Sequence, residues 1–199
     1  WELHLVAGSD GPLLDRAAEL GVTCHLEPFP EALARWGDTS AQVDGGQRSG
    51  HRLTHALRLG LAVLRYRSRL RQRIRQIDPH LIHSNGLKFH ALTGLAGCYR
   101  GKLIWFMHDY LASRKLLSRL LPPLGRSVSL LWANSQSVAD DIHRLMPRTP
   151  VQVLHCGIDL ERFSPGPSEA EWLDQQSEPR GDAAPLLRIG LVATYARWK

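Results

Sequence analysis

Short apolar runs alternate with segments of helical periodicity along most of this 199-residue chain. The runs that we predict to be strands are 3–7, 22–26, 81–84, 102–107, 129–133, 151–154 and 187–193. The helices predicted between them are 13–20, 51–77, 87–97 and 136–145. Strands that alternate with helices form a parallel sheet that is covered on both faces. The sequence therefore predicts an α/β fold with a Rossmann-like parallel sheet.

Polar and helix-breaking residues mark the ends of several predicted elements. Gly21 follows the first helix, and Asp78 before Pro79 ends the long one, because a residue before proline is disfavoured in the helical region. Ser135 is placed to cap the helix 136–145, since a serine hydroxyl accepts a hydrogen bond from the free amides of a helix start. Residues 37–50 are rich in glycine and polar side chains and are predicted to form a loop.

Composition excludes several classes of protein. Hydrophobic residues make up 43% of the chain and charged residues 22%, as in ordinary globular domains. The three cysteines, Cys24, Cys98 and Cys156, are too few and too far apart for a disulfide framework, which favours a reducing cytosol. No apolar run approaches the ~20 residues of a membrane span, and the first residues do not have the pattern of a secretion signal. We therefore expect a cytoplasmic protein.

The positive charge is concentrated in one segment. Residues 51–77 contain eight arginines and no acidic residue, so this segment carries +8 while the rest of the chain sums to −2. One face of the predicted helix carries Leu59, Val63, Tyr66, Leu70, Ile74 and Ile77. We expect the helix to dock through this stripe, and we expect most of its arginines to lie in solvent without a role in folding.

The arginine-rich helix has three interpretations. The helix is an ordinary solvated surface, or it lies peripherally on the inner face of an anionic membrane. In the second case lipid headgroups would meet Arg67, Arg69, Arg71 and Arg73. Nucleic-acid binding is the weakest interpretation, because no known nucleic-acid motif accompanies the arginines. We predict no nucleic-acid partner.

Four consecutive predicted strands end in polar residues. These strand ends are His83-Ser84-Asn85-Gly86, His108-Asp109, Asn134-Ser135 and His155-Cys156-Gly157-Ile158-Asp159. Because ligands of parallel α/β sheets bind at the carboxyl ends of the strands, this pattern predicts a binding cleft. A neutral imidazole at His108 can exchange hydrogen bonds with a substrate hydroxyl while Asp109 orients it. The alternative at this strand end is a packed histidine and a capping aspartate.

Other catalytic and metal-binding patterns do not occur in the sequence. No Gly-x-Ser-x-Gly elbow surrounds Ser84 or Ser135, which disfavours a serine triad. His80, His83 and His90 do not form a convincing metal site. Neither Gly-x-Gly-x-x-Gly nor a Walker loop is present. The residues thus indicate no metal site, and the phosphate signature of a first strand is either absent or lay before Trp1.

The order and spacing of these strand ends resemble the glycosyltransferase family 4 enzymes, which have the GT-B fold of two facing Rossmann-like domains. The stretches that carry the resemblance are 78–85, 105–109, 132–135 and 153–165, and the last is the most specific. Residues 189–199 look like the first strand and phosphate loop of the family's second domain. The resemblance covers most of the chain.

The resemblance implies a division into domains and an activity. Residues 1–163 would form the N-terminal acceptor-side domain without its first strand, 164–185 a linker, and 186–199 the start of the donor-binding domain. The family moves a sugar from a nucleotide-sugar to an acceptor, with retention of anomeric configuration and without a bound metal. By this resemblance the protein is a glycosyltransferase of the hexosyltransferase type, acting on a glycan or lipid-linked acceptor.

The same resemblance implies roles for individual residues. His108 would be the catalytic residue near the transferred sugar, and Lys199 would contact the donor diphosphate, where a positive charge suits a leaving phosphate. The other implied contacts are, on the donor side, Thr194, Arg197 and Gly157 and, on the acceptor side, Asn85, Asp109 and Ser135. The chain departs from the family pattern at Cys156, where asparagine is usual, and at Ala193-Thr194, where a Gly-Arg pair is usual.

Both ends of the chain lie directly against predicted strands. We therefore expect a fragment of a longer enzyme that is inactive alone; a complete small domain is the alternative. Two other functions stay open. One is a different α/β cleft enzyme, such as an epimerase or a hydrolase, and the other is a module whose basic helix binds a membrane or another polyanion.

Overall fold

The computed structural model describes residues 1–34, 49–97, 100–114 and 116–166, without the side chains of 49–53 and 55. The chain divides into two units, Trp1–Cys156 and Gly157–Lys199, and all described helices and strands lie in the first. The predicted strand 187–193, most of the linker 164–185 and most of the loop 37–50 lie outside the described residues. The domain limits 1–163, 164–185 and 186–199 therefore stay a prediction.

Six strands in the described part of the chain match the predicted ones to within one residue. They are β1 (His4–Ala7), β2 (Thr23–Leu26), β3 (Leu81–Asn85), β4 (Lys102–Met107), β5 (Leu130–Ala133) and β6 (Val151–Val153). β1 pairs with β2 in one sheet, and the other sheet has the order β3-β4-β5-β6. Every one of these pairs is parallel, as predicted.

The helices of the described residues are α1 (Pro12–Glu19), α2 (Glu31–Ala34), α3 (Ser49–Ile77), α4 (Leu87–Ala96), α5 (Leu117–Leu124) and α6 (Gln136–Leu145). Four of them were predicted, whereas α2 and α5 were not. Pro122 and Pro123 lie inside α5 and lack the amide that a helix needs. Leu121 is fully buried on this helix, so tertiary packing outweighs local propensity there.

The predicted end signals act as expected. The Ser135 hydroxyl accepts a hydrogen bond from the Val138 amide at 3.3 Å and caps α6. α3 ends before Asp78, whose φ of 48° takes the chain out of the helix ahead of Pro79. Gly86 turns the chain from β3 into α4 with a φ of 84°, a conformation that favours glycine.

Two hydrophobic clusters fix the layers of the first unit. The larger one lies between the four-stranded sheet and helices α4 to α6, and its large members are Leu103, Trp105, Met107, Leu111, Leu121, Leu131, Ile142 and Met146. The smaller one joins α3 to α2, α4 and β1. Its buried residues are Leu33, Tyr66, Leu70, Ile74 and Leu92, with Val6, Phe29, Leu59, Val63, Ile82 and Phe89 packed against them.

α3 docks through the predicted stripe. Tyr66, Leu70 and Ile74 are buried, and the other three members of the stripe are partly buried. The Tyr66 hydroxyl donates to the Glu27 carbonyl at 2.8 Å, and burial raises the pKa of this phenol well above its ordinary value. The prediction of how α3 packs is therefore confirmed.

The prediction that the α3 arginines have no role in folding is wrong for three of them, whereas Arg58, Arg65 and Arg75 are exposed as predicted. Arg67 Nε donates to the Leu95 carbonyl at 2.7 Å, and Arg69 Nη2 donates to the Pro28 carbonyl at 3.1 Å. Arg73 Nε lies 2.9 Å from Glu27 Oε1 in an ion pair. A guanidinium group carries five N–H donors on a long stem, so these residues reach carbonyl and carboxylate oxygens on neighbouring segments that sequence spacing does not reveal.

Candidate functional site

The carboxyl ends of the four-stranded sheet lie along one edge. In the strand register Asn85 is opposite Phe106, Met107 is opposite Ala133, and Ala133 is opposite Val153. The residues that follow β4, β5 and β6 therefore leave the sheet side by side. These are His108-Asp109, Asn134-Ser135 and Leu154-His155, as the cleft prediction requires.

Hydrogen bonds join the last three strand ends to one another. Asn134 Nδ2 donates to the His108 carbonyl at 3.3 Å. His155 Nδ1 lies 3.1 Å from the Asn134 carbonyl, and because a carbonyl only accepts, this nitrogen carries the proton. Asn134 Oδ1 is buried and has no hydrogen-bond partner among the described residues. Asn134 thus links the backbone of His108 to the ring of His155.

Aromatic rings pack against His83 and His108. The His108 ring packs on Phe106 with centroids 4.2 Å apart, and the side chain is exposed. The His83 ring lies 5.8 Å from Phe106 and 5.5 Å from Trp132. Desolvation lowers the pKa of His83, and the nearby charge of His108 lowers it further. Both imidazoles therefore pack against the Phe106 ring, and both side chains are exposed.

A buried histidine lies beneath the same edge. His90 is 1% exposed; its Nδ1 lies 2.9 Å from Ser84 Oγ and its Nε2 lies 3.1 Å from the Phe106 carbonyl. The carbonyl requires a proton on Nε2, so Nδ1 accepts from the serine hydroxyl. Burial lowers the pKa of His90 to about 3. This neutral imidazole ties β3 to β4, a function that sequence spacing alone did not predict.

An aspartate on α6 fixes the loop that follows His108. Asp141 is buried, and its Oδ2 accepts from the backbone amides of Leu111 at 2.7 Å and Ala112 at 3.1 Å. These two hydrogen bonds tie the loop to α6, which limits how far the loop can move from the sheet edge. The spacing of Asp141 on an otherwise apolar helix face is the sequence signal that could have found it.

The predicted acceptor residues have different surroundings. Asn85 is exposed at the end of β3. The Asp109 carboxylate lies 3.9 Å from Arg114 Nη2, and among the described residues it makes no hydrogen bond to the His108 ring. The Ser135 hydroxyl is occupied by its capping bond and lies 3.1 Å from Ser137 Oγ. Their contact with an acceptor stays a prediction.

The predicted donor residues lie mostly beyond the described chain. Thr194, Arg197 and Lys199 are outside the described residues. Gly157 is exposed at the start of the second unit, and a side chain at this position would meet nothing within 4 Å. Their donor contacts therefore also stay a prediction.

The residues that the structure describes hold no cluster of metal ligands and no membrane-crossing helix. No group of three or more His, Cys, Asp and Glu side chains is placed there to hold a metal ion. In the same part of the chain, no helix combines the length and the apolarity that crossing a membrane needs.

Comparison with known proteins gives one family and one fold. The family model of Glycosyltransferase Family 4 matches residues 2–162. Solved structures of HepE from Anabaena are similar: the complex with UDP has 18% identity over 87% of this chain, with a TM-score of 0.57. The complex with UDP-glucose has 17% identity over 87% of this chain and a TM-score of 0.57. No curated protein matches the chain.

The HepE structures extend well beyond this chain. The chain covers 41% of the HepE chain in these two complexes, so it spans about two fifths of that length. At this identity the likeness concerns the fold alone. It confirms the predicted α/β class, with parallel strands and helices on both sides of the sheet.

Proposed function

The chain belongs to glycosyltransferase family 4, and from this membership we propose that it is the acceptor-side part of a retaining, two-domain GT-B glycosyltransferase. The enzyme moves a sugar from a nucleotide-sugar to a glycan or lipid-linked acceptor, without a bound metal or other cofactor. The observation that carries the proposal is the row of polar strand ends at one edge of the four-stranded sheet, with the exposed His108 ring among them.

His108 is proposed to contact the hydroxyls of the transferred sugar or the reacting centre. Its backbone is held by Asn134 and its ring rests on Phe106, so the imidazole has a fixed direction before any substrate arrives. Fixed hydrogen-bonding groups lower the barrier because they need no reorganisation during the reaction. Asn85, Asp109 and Ser135 are proposed to bind the acceptor along the same edge.

The donor is proposed to be a nucleotide-sugar. HepE, which shares the fold, is found in complex with UDP and with UDP-glucose. Gly157, Thr194, Arg197 and Lys199 are proposed to meet the donor, with the Lys199 ammonium opposite the diphosphate. A lysine at that place would stabilise the negative charge that develops on the leaving phosphate.

Product analysis tests the reaction class. A form of the protein that carries the donor side is incubated with UDP-glucose and candidate acceptors, and the products are resolved by NMR. A new glycosidic bond with the anomeric configuration of the donor supports the proposal. An inverted product would contradict the retaining mechanism. An altered sugar still attached to its nucleotide would favour the epimerase alternative.

Residues 1–199 alone are proposed to transfer no sugar. The resemblance places a glutamate pair of the donor-binding domain after Lys199. In addition, a cleft formed by only one of the two domains does not exclude water from the reacting centre. Turnover of UDP-glucose by this 199-residue chain, measured against a boiled sample, would overturn this part of the proposal.

A second surface is proposed to hold the enzyme against an anionic membrane. Near the middle of α3, Leu57, Leu61 and Leu64 are each more than half exposed, at the spacing of one helix face. The exposed Arg58 and Arg65 lie on the same stretch. Apolar side chains flanked by arginines are typical of helices that lie in the interface of an anionic bilayer. This stretch replaces Arg67, Arg69 and Arg73 as the proposed contact, because those three are engaged within the protein.

Vesicle binding tests the membrane contact. Replacing Arg58 and Arg65 with glutamine is expected to weaken binding to vesicles of phosphatidylcholine and phosphatidylglycerol by at least about tenfold at low salt. The matched control replaces two exposed arginines elsewhere, Arg126 and Arg148, and should change binding little. Equal effects of both pairs, or no binding by the parent protein, would favour an ordinary solvated helix.

A further inference from the structure

The pairing of β5 with β6 continues through a side chain beyond the ends of these strands. The Leu154 amide donates to the Ala133 carbonyl at 2.8 Å. One residue further along both strands, the His155 ring takes the place of a backbone amide, because its Nδ1 donates to the Asn134 carbonyl at 3.1 Å. The imidazole of His155 is therefore held at the carboxyl edge of the four-stranded sheet.

This hydrogen bond decides which nitrogen of the His155 ring stays free. A carbonyl only accepts, so Nδ1 carries the proton, and a neutral imidazole has no second proton for Nε2. Nε2 makes no hydrogen bond within the described part of the chain, and the His155 side chain is exposed. His155 thus presents a bare nitrogen, which accepts a hydrogen bond and donates none.

The carbonyl that orients the His155 ring has firm support. Ala133, the residue before Asn134, is fully buried in the larger hydrophobic cluster. The Asn134 side chain itself donates to the His108 carbonyl at 3.3 Å. The core and the neighbouring strand end therefore hold this carbonyl in place. A group that is oriented before binding loses less conformational entropy when a ligand arrives.

The bare nitrogen of His155 selects the chemistry of its partner. A nitrogen that only accepts pairs with an O–H or an N–H group. The ionised diphosphate of a nucleotide-sugar has no proton to offer, whereas every hydroxyl group of a glycan has one. His155 is therefore suited to a hydroxyl group of the acceptor rather than to the phosphates of the donor.

We propose that His155 is an acceptor-binding residue, and that its neutral Nε2 accepts a hydrogen bond from a hydroxyl group of the sugar acceptor at the strand edge that also carries His108. The inference rests on the proposed function, because it requires that an acceptor binds at this edge. It makes acceptor specificity depend on a proton donor at one position. An ether oxygen or a missing hydroxyl at that position would leave the nitrogen unpaired.

Nitrogen-15 NMR of the histidine rings tests this role without any sugar transfer. In the 199-residue chain, Nδ1 of His155 is expected to carry the proton and Nε2 to be bare. Methyl α-glucoside is expected to shift the His155 Nε2 signal, whereas the same sugar with every hydroxyl methylated should not. His143, an exposed imidazole on α6, is the internal control, and the His155→Asn variant assigns the signal.

Two variants separate binding of the acceptor from support of the sheet edge. In His155→Asn the amide nitrogen takes the place of Nδ1, so the donor to the Asn134 carbonyl is kept and nothing stands at the place of Nε2. In a form of the protein that carries the donor side, with UDP-glucose and methyl α-glucoside, this variant should raise the KM for the acceptor about tenfold. Its kcat, its KM for UDP-glucose and its melting temperature should not change.

The second variant restores the acceptor atom. In His155→Gln the side-chain amide reaches the place of Nε2, and its oxygen accepts a hydrogen bond there. The KM for methyl α-glucoside should therefore return to within about threefold of wild type. A KM as high as that of His155→Asn would contradict a role for an acceptor atom at this place.

Other results would also overturn the proposal. A proton on Nε2 would make His155 a donor. Equal shifts with both sugars, or a shift with neither at the highest soluble concentration, would mean that no hydroxyl group pairs with the ring. An unchanged KM for the acceptor in His155→Asn, or a melting temperature that falls in this variant, would leave His155 a structural residue.

Failure of the proposed function would give a different result. If the form with the donor side transfers no sugar to methyl α-glucoside, the proposed function is refuted for this acceptor. The NMR comparison of the two sugars still decides in that case whether a hydroxyl group pairs with His155.

Discussion

The four-stranded sheet and the two-stranded sheet have the same parallel pairing but are stabilised in different ways. β4 and β5 bury Leu103, Trp105, Met107 and Leu131 in the large hydrophobic cluster, whereas in β1 and β2 only Ala7 is buried. The two-stranded sheet leads instead into a segment that α3 holds through polar contacts at Glu27 and Pro28. His108 therefore extends from the firmly packed region of the molecule.

Truncating one leucine in each sheet gives the largest expected contrast. Leu131 is fully buried in β5, and Leu131→Ala should lower the free energy of unfolding by about 2–5 kcal/mol. Leu5 in β1 is only partly buried, so Leu5→Ala should cost less than half as much. Urea denaturation followed by circular dichroism measures both. Equal costs would contradict the view that the two sheets differ in packing.

Acid should weaken the four-stranded sheet through His90. Burial lowers the pKa of His90 to about 3, compared with 6.5 for an unperturbed histidine. Below pH 6.5 the unfolded chain binds a proton that the folded chain does not, so stability falls as the pH drops towards 3. The slope contributed by this group is up to about 1.4 kcal/mol per pH unit. Urea denaturation between about pH 7 and about pH 5 measures it.

The control for the pH dependence is a variant without the buried imidazole. His90→Gln keeps a polar side chain near Ser84 but does not titrate in this range. Its stability should be lower at neutral pH, since a buried pair is disturbed, and should depend less steeply on pH. A slope unchanged from that of the parent protein would mean that other groups cause the acid sensitivity.

The smallest expected effect concerns the contact between α3 and the segment after β2. Arg73→Gln removes the ion pair with Glu27, whose side chain is mostly buried, and should lower the free energy of unfolding by about 1 kcal/mol. The control is Arg75→Gln two residues further along, which is exposed and should change stability by less than about 0.5 kcal/mol. Equal melting temperatures for the two variants would restore the expectation that these arginines have no folding role.

The parts of the fold that sequence reasoning predicted are those set by local pattern. The six described strands, the Ser135 cap and the end of α3 before Asp78 follow from apolar runs, a hydroxyl at a helix start and a proline. α5 was not predicted, because Pro122 and Pro123 oppose a helix locally while burial of Leu121 favours it from a distance. Predictions from local helix propensity do not include the stabilisation that comes from burying Leu121.

The parts that were not predicted depend on partners distant in the chain. Arg67 reaches Leu95 and Arg73 reaches Glu27, and nothing in the spacing of the arginines identifies these partners. His90 was considered only as a metal ligand, whereas its partners are Ser84 and the Phe106 carbonyl. The row of strand ends was predicted because parallel strands end at a common edge, but the hydrogen bonds of Asn134 that join them required the structure.

The turnover of a His108 variant tests most directly whether sugar transfer takes place at the carboxyl edge of the four-stranded sheet. In a form of the protein that carries the donor side, His108→Ala should lower kcat at least about tenfold, about 1.4 kcal/mol of transition-state stabilisation, without a change in melting temperature. His143→Ala, which removes an exposed histidine on α6, is the control and should be near wild type. A kcat for His108→Ala within about threefold of wild type would contradict the account and leave His108 a structural residue.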